Sequence, residues 1–270
     1  MPDWLEVIIL GIIEGITEFL PISSTGHLLL AEQWLGARPE HFNVFIQSGA
    51  VVAVIAVFRE RVRKLLTEWK SSETQDYLKK MGTAFLITAV GGLWLKKAGW
   101  ELDNARAPIA WALLTGGVLF IAAEKHQEGK ETPEEEAHLL PQITWALTIA
   151  FGVAQLIAMV FPGASRSGTT ILIALLLGMG RREAVEFSFL LGVPTLLAAG
   201  AYQLAAALRE NAAAVQAEAP MLALGTAVSA ATAFIAVKWL LSYLQSNNFM
   251  VFGWYRIALG AIILGVVYGD

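Results

Sequence analysis

The chain contains no cysteine, which excludes a disulfide framework and every thiolate metal centre. Charge is scarce: 16% of the 270 residues are Asp, Glu, Lys or Arg, against about 25% in an ordinary soluble domain. The net charge of −4 is too mild to suggest a nucleic-acid partner. The start, "MPDWLEVIILG", lacks a basic stretch ahead of its apolar run and a small-residue cleavage site after it. The first apolar segment is therefore expected to stay in the mature protein. No segment reads as an independent soluble domain. What is abundant is apolar sequence, 56% of the chain, arranged in long runs from end to end, the pattern of an all-α polytopic membrane protein.

Six stretches are long enough to cross a bilayer: about 42–58, 81–96, 108–124, 184–207, 219–241 and 253–268. Two others, 4–36 and 142–180, are broken near the middle by "LPISSTGH" and "FPGASRSG". Proline there removes a backbone donor, and Gly26 and Gly163 permit tight turns. Unwound backbone at membrane depth survives only where protein or water covers it. Both segments are accordingly expected to be re-entrant helical hairpins. Residues 59–80 carry seven Lys and Arg, which places that loop in the cytoplasm. Alternation then puts 125–141 and 181–183 inside, 97–107 and 208–218 outside, and both termini on the outer face.

The two broken segments resemble each other. "GIIEGITEFLPISS" (11–24) set above "GVAQLIAMVFPGAS" (152–165) aligns Gly11 with Gly152, Ile16 with Ile157, Pro21 with Pro162 and Ser24 with Ser165, with Glu14 opposite Gln155. One extra residue in the second copy, placed at Arg166 or one position away, brings Gly26 and Gly168, Leu30 and Leu172, Leu35 and Leu177, Gly36 and Gly178, and Phe45 and Phe187 into line. The expected organisation is a single integral membrane domain over 1–270. It holds two repeats, about 1–124 and 142–270, in inverted topology, whose hairpin tips meet at the ligand site.

The tips carry complementary chemistry. Glu14 and Glu18, at i and i+4, share a helix face, and two carboxylates in a poorly solvated place need a cation or a shared proton. Oxygen ligands suit Mg²⁺ or Ca²⁺, so both glutamates are candidate metal ligands. Ser23, Ser24, Thr25 and His27 follow, with hydroxyls that an adjacent base could activate. His41, His126 and His138 fall in loops. In the second tip Arg166 is the only charge; an arginine at bilayer depth implies an anion, and its fork suits phosphate. Gly163, Ser165, Ser167 and Thr170 surround it at the start of a helix, itself an anion site. Acidic metal ligands, a hydroxyl, an imidazole, an arginine and backbone amides together suit a diphosphate. The apolar walls imply a lipid tail on the same substrate.

"EGITEFLPISSTGH" with "FPGASRSGTT" resembles the bacterial undecaprenyl-diphosphate phosphatase family, also called bacitracin-resistance proteins. "FNVFIQSGAVVAVIAVF", "EFSFLLGVPT" and the terminal "YRI" extend the resemblance over most of the chain. It implies a multi-pass enzyme of the bacterial inner membrane, hydrolysing undecaprenyl diphosphate to undecaprenyl phosphate and phosphate with the help of divalent cations. That activity recycles a carrier lipid for cell-wall polymers and gives bacitracin resistance. Carried over, Glu14 and Glu18 bind metal or act in acid–base chemistry. Ser24 is the favoured nucleophile with His27 as its base or proton donor, the reverse assignment staying open. Arg166, Ser165 and Thr170 hold the phosphates. A monomer and a homodimer are both open. So is a lipid-phosphate transporter or flippase using the same inverted-repeat site.

Overall fold

The computed structural model describes residues 1–100, 106–128, 140 and 142–268. The acidic "ETPEEEAH" stretch and His138 lie outside the described residues. Among these residues all regular structure is helical. Helices α1 (Asp3–Thr17) and α2 (Ser24–Leu35) form the first hairpin, and α7 (Trp145–Val160) and α8 (Arg166–Leu176) the second. Both α1 and α7 end within a few residues of their prolines, Pro21 and Pro162. The longer helices are α3 (Glu40–Val57), α5 (Ser72–Lys97), α6 (Arg106–Gln127), the long α9 (Arg181–Tyr243) and α10 (Met250–Tyr268); the short α4 (Arg59–Thr67) links α3 to α5. Four of them, α3, α6, α9 and α10, are long and apolar enough over an 18-residue window to span a bilayer. The chain is an all-α polytopic membrane protein.

The segment 208–218, expected as a loop, is helical instead. α9 continues through it and breaks at one residue, Asn211, whose backbone (φ −153°, ψ 84°) is not helical. Its alanine-rich sequence, "RENAAAVQAEA", favours helix on both sides, and Asn211 Oδ1 accepts the amide of Ala214 at 3.1 Å, capping the second arm. The two arms fold back on each other. Gln203 on one donates to Glu40 at 2.7 Å, and Glu218 on the other pairs with His41 at 2.9 Å, both at the start of α3. Proline 194 and Pro220 sit inside the arms. The six expected crossings fall on α3, α5, α6, the two arms of α9, and α10, of which α5 is not among the helices that meet the length and apolarity of a span.

The hairpins enter from opposite ends of the bundle. The base of the first is tied by Arg38, which bonds Asp3 and lies 3.0 Å from Glu6, beside the start of α3. The base of the second lies at the other end of α3, where Arg181 pairs with Glu124 and Gln127 donates to the Leu175 carbonyl. Between them runs a continuous core built on Phe19, Phe58, Phe151, Phe187 and Phe189, all at most 6% exposed. Helix backbones approach closely where small residues meet, the usual device when lipid offers no hydrophobic drive for packing. At Gly49 an added Cβ would stand 2.2 Å from the Thr226 carbonyl of α9.

The two hairpins are held alike. Thr88 on α5 bonds the Gly152 carbonyl of α7 at 3.3 Å, and Thr232 on α9 bonds the Gly11 carbonyl of α1 at 3.4 Å. Gly11 and Gly152 are the residues that the sequence alignment paired.

Candidate active site

Both tips are built by a serine in an unusual backbone conformation. Ser23 (φ 73°) and Ser165 (φ 70°) are the only non-glycine residues with positive φ among those described. Such conformations cost on the order of 1–3 kcal/mol and cluster at functional sites. Each serine caps the helix that follows: Ser23 Oγ accepts the Gly26 amide at 3.3 Å and Ser165 Oγ the Gly168 amide at 3.1 Å. The structure therefore sets Ser23, not Ser24, against Ser165. The extra residue of the second copy precedes Ser165 rather than falling at Arg166, because the turn must close over Gly163 (φ +88°), where a Cβ would meet the Ile109 carbonyl at 2.7 Å. Ser24 and Arg166 thereby become equivalent, each the first residue of its helix.

These two residues meet through Glu18, which caps the C-terminus of α1. Ser24 Oγ donates to Glu18 Oε2 at 2.7 Å, and Arg166 Nη2 lies 3.3 Å from Glu18 Oε1. Arg166 also donates to the Ser188 carbonyl at 3.2 Å and stands over the Phe19 ring at 5.0 Å. A cavity of about 220 Å³ opens here. Its walls include Glu18, Ser23, Ser24 and Thr25 from the first tip and Gly163, Ser165 and Arg166 from the second. The N-termini of α2 and α8 both face it, so two helix dipoles add positive potential. Ala158, Met159, Leu196 and Ala199 line its apolar side.

Four residues expected at the ligand stand elsewhere. His27 does not line the cavity. Its Nδ1 is 2.7 Å from the Ser23 carbonyl, which can only accept, so Nδ1 carries the proton; Nε2 then accepts from the Tyr255 hydroxyl at 2.7 Å. Both nitrogens are engaged, and the group at Ser24 is Glu18. Ser167 joins the tips instead of facing a ligand, its hydroxyl reaching the Leu20 carbonyl at 3.1 Å. Thr170 contacts the Ser188 hydroxyl at 2.6 Å and the Arg166 carbonyl at 2.8 Å. Both are at most 1% exposed. Glu14, one turn before Glu18, is fully buried, and neither of its carboxylate oxygens has a hydrogen-bond partner.

Sequence reasoning passed over several residues. Gln47, Thr88, Gln155 and Thr195 also line the cavity. Arg256 on α10, 1% exposed, is the clasp of the site: it donates to the Pro21 carbonyl of the first tip (3.2 Å), to Gly163 and Ala164 of the second (3.4 and 3.0 Å), and to Ala112 of α6 (3.2 Å). An arginine inside the apolar run 253–268 was the available signal, since charge at that depth rarely goes unused. Nothing in the sequence singles out Thr88 or Thr195.

Comparison with known proteins agrees with the motifs. The family profile described as bacitracin resistance protein BacA matches residues 7–262. A Rhizobium etli protein named undecaprenyl-diphosphatase is 49% identical over 265 residues, covering 98% of this chain and 97% of that one. A Xanthomonas oryzae pv. oryzae protein of the same name is 48% identical over the same shares of the two chains. With the family match spanning nearly the whole sequence, the chain belongs to the BacA family of bacitracin resistance proteins.

Proposed function

We propose that the protein is an undecaprenyl-diphosphatase, releasing inorganic phosphate from undecaprenyl diphosphate and leaving undecaprenyl phosphate in the membrane. The observation that carries this reading is the Ser24–Glu18–Arg166 chain of contacts, 2.7 and 3.3 Å, at the mouths of two helix N-termini. Ser24 Oγ attacks the terminal phosphorus and passes its proton to Glu18. The P–O–P anhydride bond breaks, and Glu18 hands the proton to the departing prenyl phosphate. Water then cleaves the phosphoserine, releasing phosphate and restoring the hydroxyl. Arg166 and the amides of the α8 N-terminus neutralise charge on the transferred group. His27 positions Ser23, and through it Ser24, in place of acting as the base.

A divalent cation fits the donor set. Glu14 carries two buried, unpartnered carboxylate oxygens beside Glu18, a state that a cation or a shared proton relieves. Among the described residues no cluster of three or more His, Cys, Asp and Glu occurs. A hard ion held by the two carboxylates would complete its shell with oxygens of water and phosphate. Mg²⁺ or Ca²⁺ held by Glu14 and Glu18 would draw charge from the phosphate oxygens.

The two repeats, about 1–124 and 142–270, make one membrane domain, a reading supported by the matched capping serines and by the Thr88 and Thr232 contacts. The basic segment 59–80, which carries α4 and the start of α5, supports a reading with that end in the cytoplasm and both termini outside a bacterial inner membrane. The test is phosphate release from undecaprenyl diphosphate by purified protein in detergent, with and without chelator. Release that chelation abolishes is expected. Tight binding without release would overturn the reading in favour of a carrier.

A further inference from the structure

Gln155 is a cavity residue whose amide is half used. It lies on α7, 1% exposed, at the position equivalent to Glu14 in the first hairpin. Its Nε2 donates to Thr88 Oγ1 at 2.9 Å. Thr88 has a single hydroxyl hydrogen, and that is directed at backbone carbonyls, Ala84 at 3.0 Å and Gly152 at 3.3 Å. The threonine oxygen is therefore an acceptor toward Gln155, which fixes the amide orientation. Oε1 is left as a buried acceptor with no partner in the protein, on a residue that lines the same cavity as Glu18, Ser24 and Arg166.

A bare acceptor is the wrong group to meet a phosphate anion, whose oxygens also accept. It is the right group for a water molecule lying beside one. We propose that Gln155 is a catalytic residue that orients the hydrolytic water, with Thr88 as the positioning residue that holds its amide nitrogen and so leaves the amide oxygen free for that water. This rests on the phosphoserine route given above. In the second half-reaction one water hydrogen is donated to Gln155 Oε1 and the other to Glu18. The water oxygen forms a bond to phosphorus as the bond from phosphorus to Ser24 Oγ breaks. Glu18 returns the proton it has accepted to Ser24 Oγ. Nothing is oxidised or reduced, and inorganic phosphate leaves. A neutral amide serves where a third carboxylate would repel the substrate: in the first hairpin the equivalent residue is acidic, and here it is not.

The role predicts where the reaction stalls. Gln155→Leu should slow only the second half-reaction, so kcat falls about 10- to 100-fold, the range that misplacing a reacting group costs, while KM moves little. In rapid-quench experiments with undecaprenyl diphosphate radiolabelled at the terminal phosphate, the label trapped on protein should rise well above the wild-type level. Thr88→Val, which frees the amide to turn, should do the same to a smaller extent and provides the readout should Gln155→Leu fail to fold. Trapped label no higher than wild type in the folded variants would overturn the proposal. So would a raised Mg²⁺ requirement without trapped label, which would make Gln155 a cation ligand. Wild-type protein that releases no phosphate at all would instead overturn the phosphatase reading on which the proposal stands.

Discussion

The two hairpin tips share a backbone and differ in one side chain at the decisive place. Each ends a half-helix at a proline, turns through a strained serine, and starts a second half-helix capped by that serine. At the first residue of the new helix one tip presents Ser24 and the other Arg166. The same scaffold therefore offers a hydroxyl from one side and a cation from the other, and Glu18 touches both. The two similar turns form an unequal pair, which the proposed mechanism reads as one that attacks and one that holds.

That inequality can be broken in steps. Ser24→Ala and Arg166→Ala should each lower phosphate release by at least about 10³-fold, the scale seen when a nucleophile or a charge-stabilising arginine is lost. The two should separate in kind: Ser24→Ala keeps substrate affinity, whereas Arg166→Ala raises KM as well, and equal effects on KM would deny the division of roles. Arg166→Lys retains the charge but loses the fork, and a fall of about 10- to 100-fold in kcat/KM is expected. Arg256→Met withdraws the donors shared by both tips, leaving buried carbonyls unpaired at about 1–3 kcal/mol each; a lower unfolding temperature in detergent checks this. Smallest is the capping pair. Ser165→Ala should cost about 1 kcal/mol of stability through the lost cap, and the same loss at Ser23 should also disturb Ser24 and so show in kcat.

Much of this arrangement could be read before the coordinates. Proline followed by small hydroxylated residues in an apolar run is a local signal, and it located both tips, Glu18, Ser24 and Arg166. The alignment of the copies was displaced by one residue because serines at 23 and 24 look identical until backbone angles distinguish cap from first helical residue. His27 and Thr170 were expected at the ligand because their chemistry suits it; the structure shows their polar atoms occupied by Tyr255, Ser23 and Ser188. Partners more than two hundred residues away, as between His27 and Tyr255, leave no trace in spacing. The helical passage through 208–218 was hidden for another reason, since polar, charged sequence outside the bilayer reads as loop although alanine favours helix there.

The modest size of the chamber between the tips has a bearing on what the cell can leave exposed to this protein. At about 220 Å³ it has room for a diphosphate head group, the prenyl tail extending beyond it, and a sugar on the terminal phosphate would stand where Arg166 and the helix N-termini converge. Carrier lipids still loaded with their saccharide should be spared, which competition between naked and glycosylated polyprenyl diphosphates would measure directly. Such sparing would make the contacts at the terminal phosphate the feature that separates spent carriers from those still in use.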